Sequence, residues 1–192
     1  FILSQTDTDL FSFIWRIQTY MYEFQAHGLQ NATHPYSSFW YQWPTLKNPI
    51  SLFFWQENGI ANSIVFIANP LISFLTFPVM ATLIIATITD RTQSRNWFIL
   101  FALSAQLLPY AFIKHIMFLY YFYSSIPFII LGIVCTINDA FDWKNKLARY
   151  VVCTYVAAVI VVFLMFIPAM VGIEFPRDYV VHFLLWKNGW NF

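Results

Sequence analysis

Apolar positions follow two regimes along the chain, periodic at first and continuous later. Residues 9 to 27, DLFSFIWRIQTYMYEFQAH, place Leu10, Phe13, Ile14, Ile17, Met21 and Phe24 at three- and four-residue steps, the period of a helix with one apolar face. Arg16, Gln18, Thr19, Glu23 and Gln25 occupy the other side. Asp9 is placed to cap the start and Gly28 to end the helix. Such a helix either packs on a soluble domain or lies flat in a membrane interface with its aromatic rings in the headgroup layer. The runs that follow favour the interface.

Four of these runs are apolar throughout. SIVFIANPLISFLTFPVMATLIIATI (63–88) carries no charge and is long enough to cross about 30 Å of hydrocarbon. Neighbouring helices can satisfy the backbone groups that Pro70 and Pro78 set free. NWFILFALSAQLLPYAFI (96–113), IMFLYYFYSSIPFIILGIVCTI (116–137) and YVVCTYVAAVIVVFLMFIPAMVGI (150–173) follow. Only Lys114 and His115 separate the second from the third, which predicts a tight helical hairpin. A single kinked helix over 96–137 is the competing reading, but at 1.5 Å per residue its length of about 63 Å exceeds a bilayer. The predicted fold is an all-α integral membrane protein, with four transmembrane helices preceded by an amphipathic interfacial helix and an aromatic-rich outer-face loop. Residues 1–62 form the juxtamembrane region, 63–173 the four-helix region and 174–192 an outer-face tail.

Composition strengthens the membrane reading. The chain is 59% hydrophobic, 21% aromatic and 10% charged, whereas soluble domains carry roughly 25% charged residues. A net charge of +1 leaves no electrostatic footprint for nucleic acid. Cys135 and Cys153 fall in apolar runs without ligand spacing and read as buried, inert thiols. Intramembrane charge marks ion paths, and the second span offers only Gln106 as a strongly polar group, so a channel or transporter is disfavoured. The chain begins with Phe1 and has no charged leader; the expectation is a processed chain or part of a longer one.

Basic residues set the expected orientation. Arg91 and Arg95 lie between the first and second spans, and Lys144, Lys146 and Arg149 between the third and fourth. Their shared face is expected to be cytoplasmic. The N-terminal region, the 114–115 hairpin and the C-terminal tail then share the outer or lumenal face of a bacterial plasma membrane or an endoplasmic reticulum membrane.

That face gathers NATHPYSSFWYQWP (31–44), where Phe39, Trp40, Tyr41 and Trp43 crowd together. Interface anchoring alone explains such rings. The outer-face carboxylates Asp7, Asp9, Glu23, Glu57, Glu174 and Asp178 form no spaced acid–base pair. Glu57 reads as a turn residue, and Glu174 and Asp178 as partners of Arg177. His27 and His34 are separated by Gly28 and Asn31, which disfavours a metal pair; His34 reads as a ring that fixes a local turn. Asn31-Ala32-Thr33 fits the N-glycosylation sequon. No zinc motif, nucleophile elbow or phosphate loop is present, and no cofactor is expected.

HPYSSFWYQWPTLKNPISLFF resembles the junction before the last four spans of protein O-mannosyltransferases, roughly H-P-Y-x-S-x-W-x-x-W-P followed by a basic residue and proline. His34, Pro35, Tyr36, Ser38, Trp40, Trp43 and Pro44 meet it, with Lys47 and Pro49 following. IANP (67–70) is similar to the family's G-N-P, with Ala68 in place of glycine. HIMFLYYFYSSIPFIIL (115–131) is similar to its aromatic run, with His115 where the family has arginine and Tyr120-Tyr121 at its Y-H. The resemblance covers most of this chain but only the C-terminal third of the family's fold of about eleven spans.

The resemblance implies transfer of mannose from a polyprenyl-phosphate carrier to Ser or Thr hydroxyls at the outer or lumenal face. It places the acidic catalytic pair in an N-terminal loop, so no catalytic residue is expected in this chain. Carrier binding is expected at His34, Tyr36, Trp40, Trp43, Lys47, Lys114, His115, Tyr120 and Tyr121. Expected partners are membrane lipid, the polyprenyl-phosphate sugar carrier and other membrane polypeptides. The alternative is a non-catalytic structural subunit of a larger membrane complex, derived from the same family.

Overall fold

The computed structural model describes residues 9–24, 32–89, 94–113, 115–187 and 190. Helix α1 (Leu10–Glu23) buries none of its residues. Asp9 stands at its N-cap position, but its side chain makes no capping bond. Gly28 lies outside the described residues. Leu10, Phe11, Trp15 and Tyr22 are all exposed, leaving a wide apolar surface without a protein partner among the described residues.

A 3₁₀ turn (Trp40–Thr45) leads into a β-hairpin of β1 (Ile50–Glu57) and β2 (Ile60–Phe66). The expected all-α fold and the expected start of the first span at 63 are both corrected here, because Ser63–Phe66 belongs to a strand. Asn58 and Gly59 both have positive φ and close a two-residue hairpin turn of the Asn-Gly kind. The sheet gains a third strand from β3 (Phe175–Pro176), which pairs with Ile60 and Ala61.

The first span begins at Pro70. Asn69 caps α2 (Pro70–Ser73), accepting from the Leu71 N–H at 3.0 Å, and Pro70 at the first helical position has no N–H to leave unpaired. The helix breaks at Phe74–Leu75 and resumes as α3 (Thr76–Thr89). Pro78 explains the break, since it cannot donate to the Phe74 carbonyl and its ring crowds it.

Helix α4 (Ser94–Leu107) stops where Pro109 forces a 3₁₀ turn, Leu108–Phe112. The following segment to Phe118 is non-helical over its described residues, so the two helical arms, which pack against each other, are joined by a longer connection than Lys114 and His115 alone. A second 3₁₀ stretch (Leu119–Ser125) runs into α5 (Ile126–Ala140). Helix α6 (Lys146–Val171) ends at Gly172, whose φ of 75° supplies the left-handed cap.

Among the described residues three helical stretches are long and apolar enough to cross a membrane: Pro70–Thr89, Leu119–Ala140 and Lys146–Val171. Helices α3, α4 and α5 pack together around Gly132, where an added Cβ would lie 2.5 Å from Val79 Cγ1 and 3.2 Å from Leu83 Cδ1. Small residues allow such close approach between membrane helices. Across the same α3–α5 seam the Thr82 and Thr136 hydroxyls meet at 3.1 Å. Cys135 is half-buried and Cys153 exposed, both as free thiols, so the expectation of two buried thiols fails at Cys153.

The bundle has two unlike ends. One carries Arg95, hydrogen-bonded to Asp139. Lys144, Lys146 and Arg149 lie on the adjoining turn and the start of α6. The other end carries the aromatic loop, the sheet and the chain after α6.

Candidate functional site

At the loop end, local geometry first fixes His34. Its Nδ1 accepts from the Tyr36 N–H at 3.2 Å, so the ring does hold the turn. The ring then meets Phe118 edge-on at 5.2 Å. Phe118 stacks on Tyr120 at 5.7 Å, Tyr120 contacts Tyr121 at 4.4 Å, and Tyr121 contacts Tyr110 at 5.3 Å. Trp43 closes this chain of rings, edge-on to Tyr110 at 4.9 Å.

The backbone ties the two sequence-distant aromatic segments together. The Ser38 N–H donates to the Met117 carbonyl at 2.9 Å, and Asn48 Nδ2 donates to the Ser37 carbonyl at 2.7 Å. Between them opens a groove of about 300 Å³ lined by Ser37, Ser38, Gln42, Lys47, His115 and Met117. His115 Nδ1 lies 2.8 Å from the Ile116 carbonyl. A carbonyl only accepts, so Nδ1 is the donor in this contact and Nε2 is left to face the groove. Lys47 is exposed and supplies a mobile point charge at the groove.

The expected site residues thus divide by environment. Lys47 and His115 share the groove. His34 and Tyr120 are exposed on the adjoining rings, while Tyr36, Trp40 and Tyr121 are half-buried. Trp43 is fully buried and donates to Ser38 Oγ at 3.2 Å, so its ring supports the loop from beneath and lies beyond reach of a ligand. Lys114 lies outside the described residues, as do His27 and Asn31. Ser37, Gln42 and Met117 are groove residues that no sequence pattern singles out, because only the 38–117 pairing brings them together. Among the described residues no group of three metal-ligating side chains forms, and no carboxylate lines the groove.

Two apolar hollows lie deeper, between α5 and α6. One of about 300 Å³ is lined by Ile130, Val134, Trp143 and Tyr155 among others. The second, about 170 Å³, reaches Ala68, Tyr123 and Phe166 near the loop end. Ile72 on α2 borders both. Asn69 Nδ2 braces this region by donating to the Val159 carbonyl of α6 at 2.9 Å.

Comparison with known proteins agrees with this architecture. The family profile described as the C-terminal four TMM region of protein-O-mannosyltransferase matches residues 10–190. No curated protein matches the chain. A chain in the solved structure of the S. cerevisiae protein O-mannosyltransferase Pmt1-Pmt2 complex bound to the sugar donor is similar in fold, with a TM-score of 0.77 at 19% sequence identity. The match covers 99% of the present chain and 28% of that one.

Proposed function

Because the chain belongs to the family defined by the C-terminal four-transmembrane region of protein O-mannosyltransferases, we propose that it is the C-terminal membrane part of a mannosyltransferase-like glycosyltransferase and helps bind a polyprenyl-phosphate-linked sugar. The acidic catalytic loop of such an enzyme belongs to a separate region or polypeptide. The observation that carries this reading is the groove where Lys47 and His115 converge, beside the ring chain from His34 to Tyr121. A phosphate finds a cation at Lys47 and a polar partner in the His115 ring, while the isoprenoid lies along apolar helix surface.

The fourth span in this reading is α4 with its 3₁₀ extension. Fourteen α residues and five 3₁₀ residues together rise about 31 Å, enough for the hydrocarbon layer. The charged end, with Arg95, Lys144, Lys146 and Arg149, faces the cytoplasm. The loop end faces the outer or lumenal side, where α1 lies in the interface with Trp15 and Tyr22 in the headgroup layer.

The test is binding of polyprenyl-phosphate-mannose to the membrane-reconstituted protein together with its native partners. Lys47→Gln is expected to weaken binding about tenfold, in line with ~1.5 kcal/mol for a charge-assisted hydrogen bond. His115→Ala is expected to weaken the mannosylated carrier more than polyprenyl phosphate alone. Unchanged affinity in both variants would overturn the site. A structural subunit without carrier binding is the second reading; it predicts no saturable binding of either lipid.

A further inference from the structure

The polar side chains on one wall of the candidate groove have their acceptors engaged and their donors open. The Phe39 N–H donates to Gln42 Oε1 at 3.1 Å. A backbone N–H requires an acceptor, so this contact fixes which end of the amide faces Phe39. Both hydrogens of Gln42 Nε2 are then without a protein partner among the described residues. Ser38 Oγ accepts from the Trp43 indole, and its own hydrogen likewise meets no acceptor among those residues. Ser38 is 6% exposed and lines the groove. The Gln42–Phe39 bond returns the amide to the residue next to Ser38, so the two donors are neighbours. Lys47, on the same groove, forms no ion pair among the described residues.

The main chain points the same way. The carbonyls of Ser37, Phe39, Gln42 and Met117 already receive hydrogen bonds, from Asn48 Nδ2, the Gln42 N–H, Thr45 Oγ1 and the Ser38 N–H respectively. Among the described residues no carboxylate lines the cavity. A sugar hydroxyl both donates and accepts, and on this wall its hydrogen would compete for carbonyls already in use. A phosphate oxygen of an ionised ester only accepts. It suits the open amide, hydroxyl and ammonium donors, and its charge strengthens each bond.

We propose that Ser38 and Gln42, with Lys47, form a phosphate-reading wall. Gln42 Nε2 and Ser38 Oγ donate to the non-bridging oxygens of the carrier's phosphate, and they select it from the neutral alcohol without reading the sugar. The inference rests on the carrier-binding function proposed above, which supplies the choice of phosphate among acceptor-only anions. Gln42 then has two jobs, since Oε1 shapes the turn and Nε2 faces the ligand.

Gln42→Glu separates the two jobs. Glutamate keeps an oxygen for the Phe39 N–H but sets a carboxylate oxygen where the open amide stood. Binding is measured in lipid discs with the native partners present, using polyprenyl phosphate, polyprenyl-phosphate-mannose and polyprenol. Gln42→Glu is expected to weaken both phosphates by the same factor, about a hundredfold, because like charges then face each other. Polyprenol is expected to bind wild type and variant alike. Tyr41→Glu places the same charge one residue away on an exposed side chain outside the groove, and solvent screening is expected to hold its effect below about threefold. Equal losses in the two variants would overturn the proposal in favour of overall charge, and a loss confined to the mannosylated lipid would overturn it in favour of a sugar contact. Wild-type binding of polyprenyl phosphate that Gln42→Glu leaves unchanged would sink this inference alone. No saturable binding by the wild type would sink carrier binding and this inference together. A measurement without substitution guards against misfolding of the variant: the Gln42 side-chain amide resonance of the wild type is expected to shift with polyprenyl phosphate and stay still with polyprenol, and an unmoved resonance would refute the contact.

Discussion

The Trp43 indole N–H donates to Ser38 Oγ at 3.2 Å, directly beside the point where the Ser38 N–H donates to the Met117 carbonyl. One buried ring thereby holds both walls of the candidate groove. Trp43→Ala is expected to destabilise the loop end by about 3–5 kcal/mol, the range for truncating a buried aromatic. Trp43→Phe keeps most of the packing but leaves Ser38 Oγ without its donor, at a cost of about 1 kcal/mol. Thermal unfolding in detergent, followed by near-ultraviolet circular dichroism, checks both values. Trp40→Ala, at a half-buried ring, is expected to cost less than Trp43→Ala, and the reverse order would place the support elsewhere.

Asn69 acts in two directions. Its Oδ1 caps α2 through the Leu71 N–H, and its Nδ2 reaches the Val159 carbonyl on α6. Asn69→Asp keeps the acceptor and removes the donor, so it isolates the tie between helices. Asn69→Ala removes both. The expected losses are about 1 kcal/mol for the tie and a further ~1 kcal/mol for the cap. Denaturant titration of the three proteins in one micelle checks the order, in which Asn69→Asp falls between the wild type and Asn69→Ala.

Gly132 marks the closest approach in the α3–α4–α5 seam. A Cβ at 2.5 Å from Val79 Cγ1 cannot be accommodated by turning a long flexible side chain, because the valine methyl sits one bond from its own backbone-attached carbon. Gly132→Ala is therefore expected to destabilise by about 1–3 kcal/mol despite the better helix propensity of alanine. Val79→Ala makes room for the new methyl, so the double variant is expected to recover part of the loss. A melting comparison of the two single variants and the double variant decides it; strict additivity would show that the contact is not shared.

The helices were legible because apolar continuity carries through α5 and α6 without interruption. The strand Ile60–Phe66 was not, since SIVFI runs straight into the first span and a short apolar run has the same appearance in a strand and in a buried helix. Asn58-Gly59 was the local signal that separated them. Lys47 and His115 were each legible as candidates through the family resemblance, and the structure brings them to one groove. Ser37, Gln42 and Met117 left no such trace, because a main-chain bond from Ser38 to Met117 depends on neither side chain. Trp43 matched the motif for a different reason from the one expected, since its indole fills the core beneath the groove.

Tyr179 offers a pH-dependent check on how the chain after α6 is fastened. Its hydroxyl donates to the Met165 carbonyl at 2.6 Å, and burial raises the phenol above its ordinary pKa of 10.0. A raised folded-state pKa means that the native state favours the protonated phenol, so the contribution is complete below about pH 10 and is lost as pH climbs through the folded value. Tyr179→Phe is expected to be less stable than wild type by about 1 kcal/mol at neutral pH, the value of one hydrogen bond. Above about pH 10 the unfolded wild type is stabilised by ionising this phenol before the folded state does, while the variant has nothing to ionise there, so the gap is expected to close with rising pH. The remaining tyrosines are common to both proteins and cancel in the difference. Paired stability measurements from pH 7 to 11 check the trend, and a gap that stays constant across that range would mean that the Tyr179 hydroxyl does not hold the Met165 carbonyl.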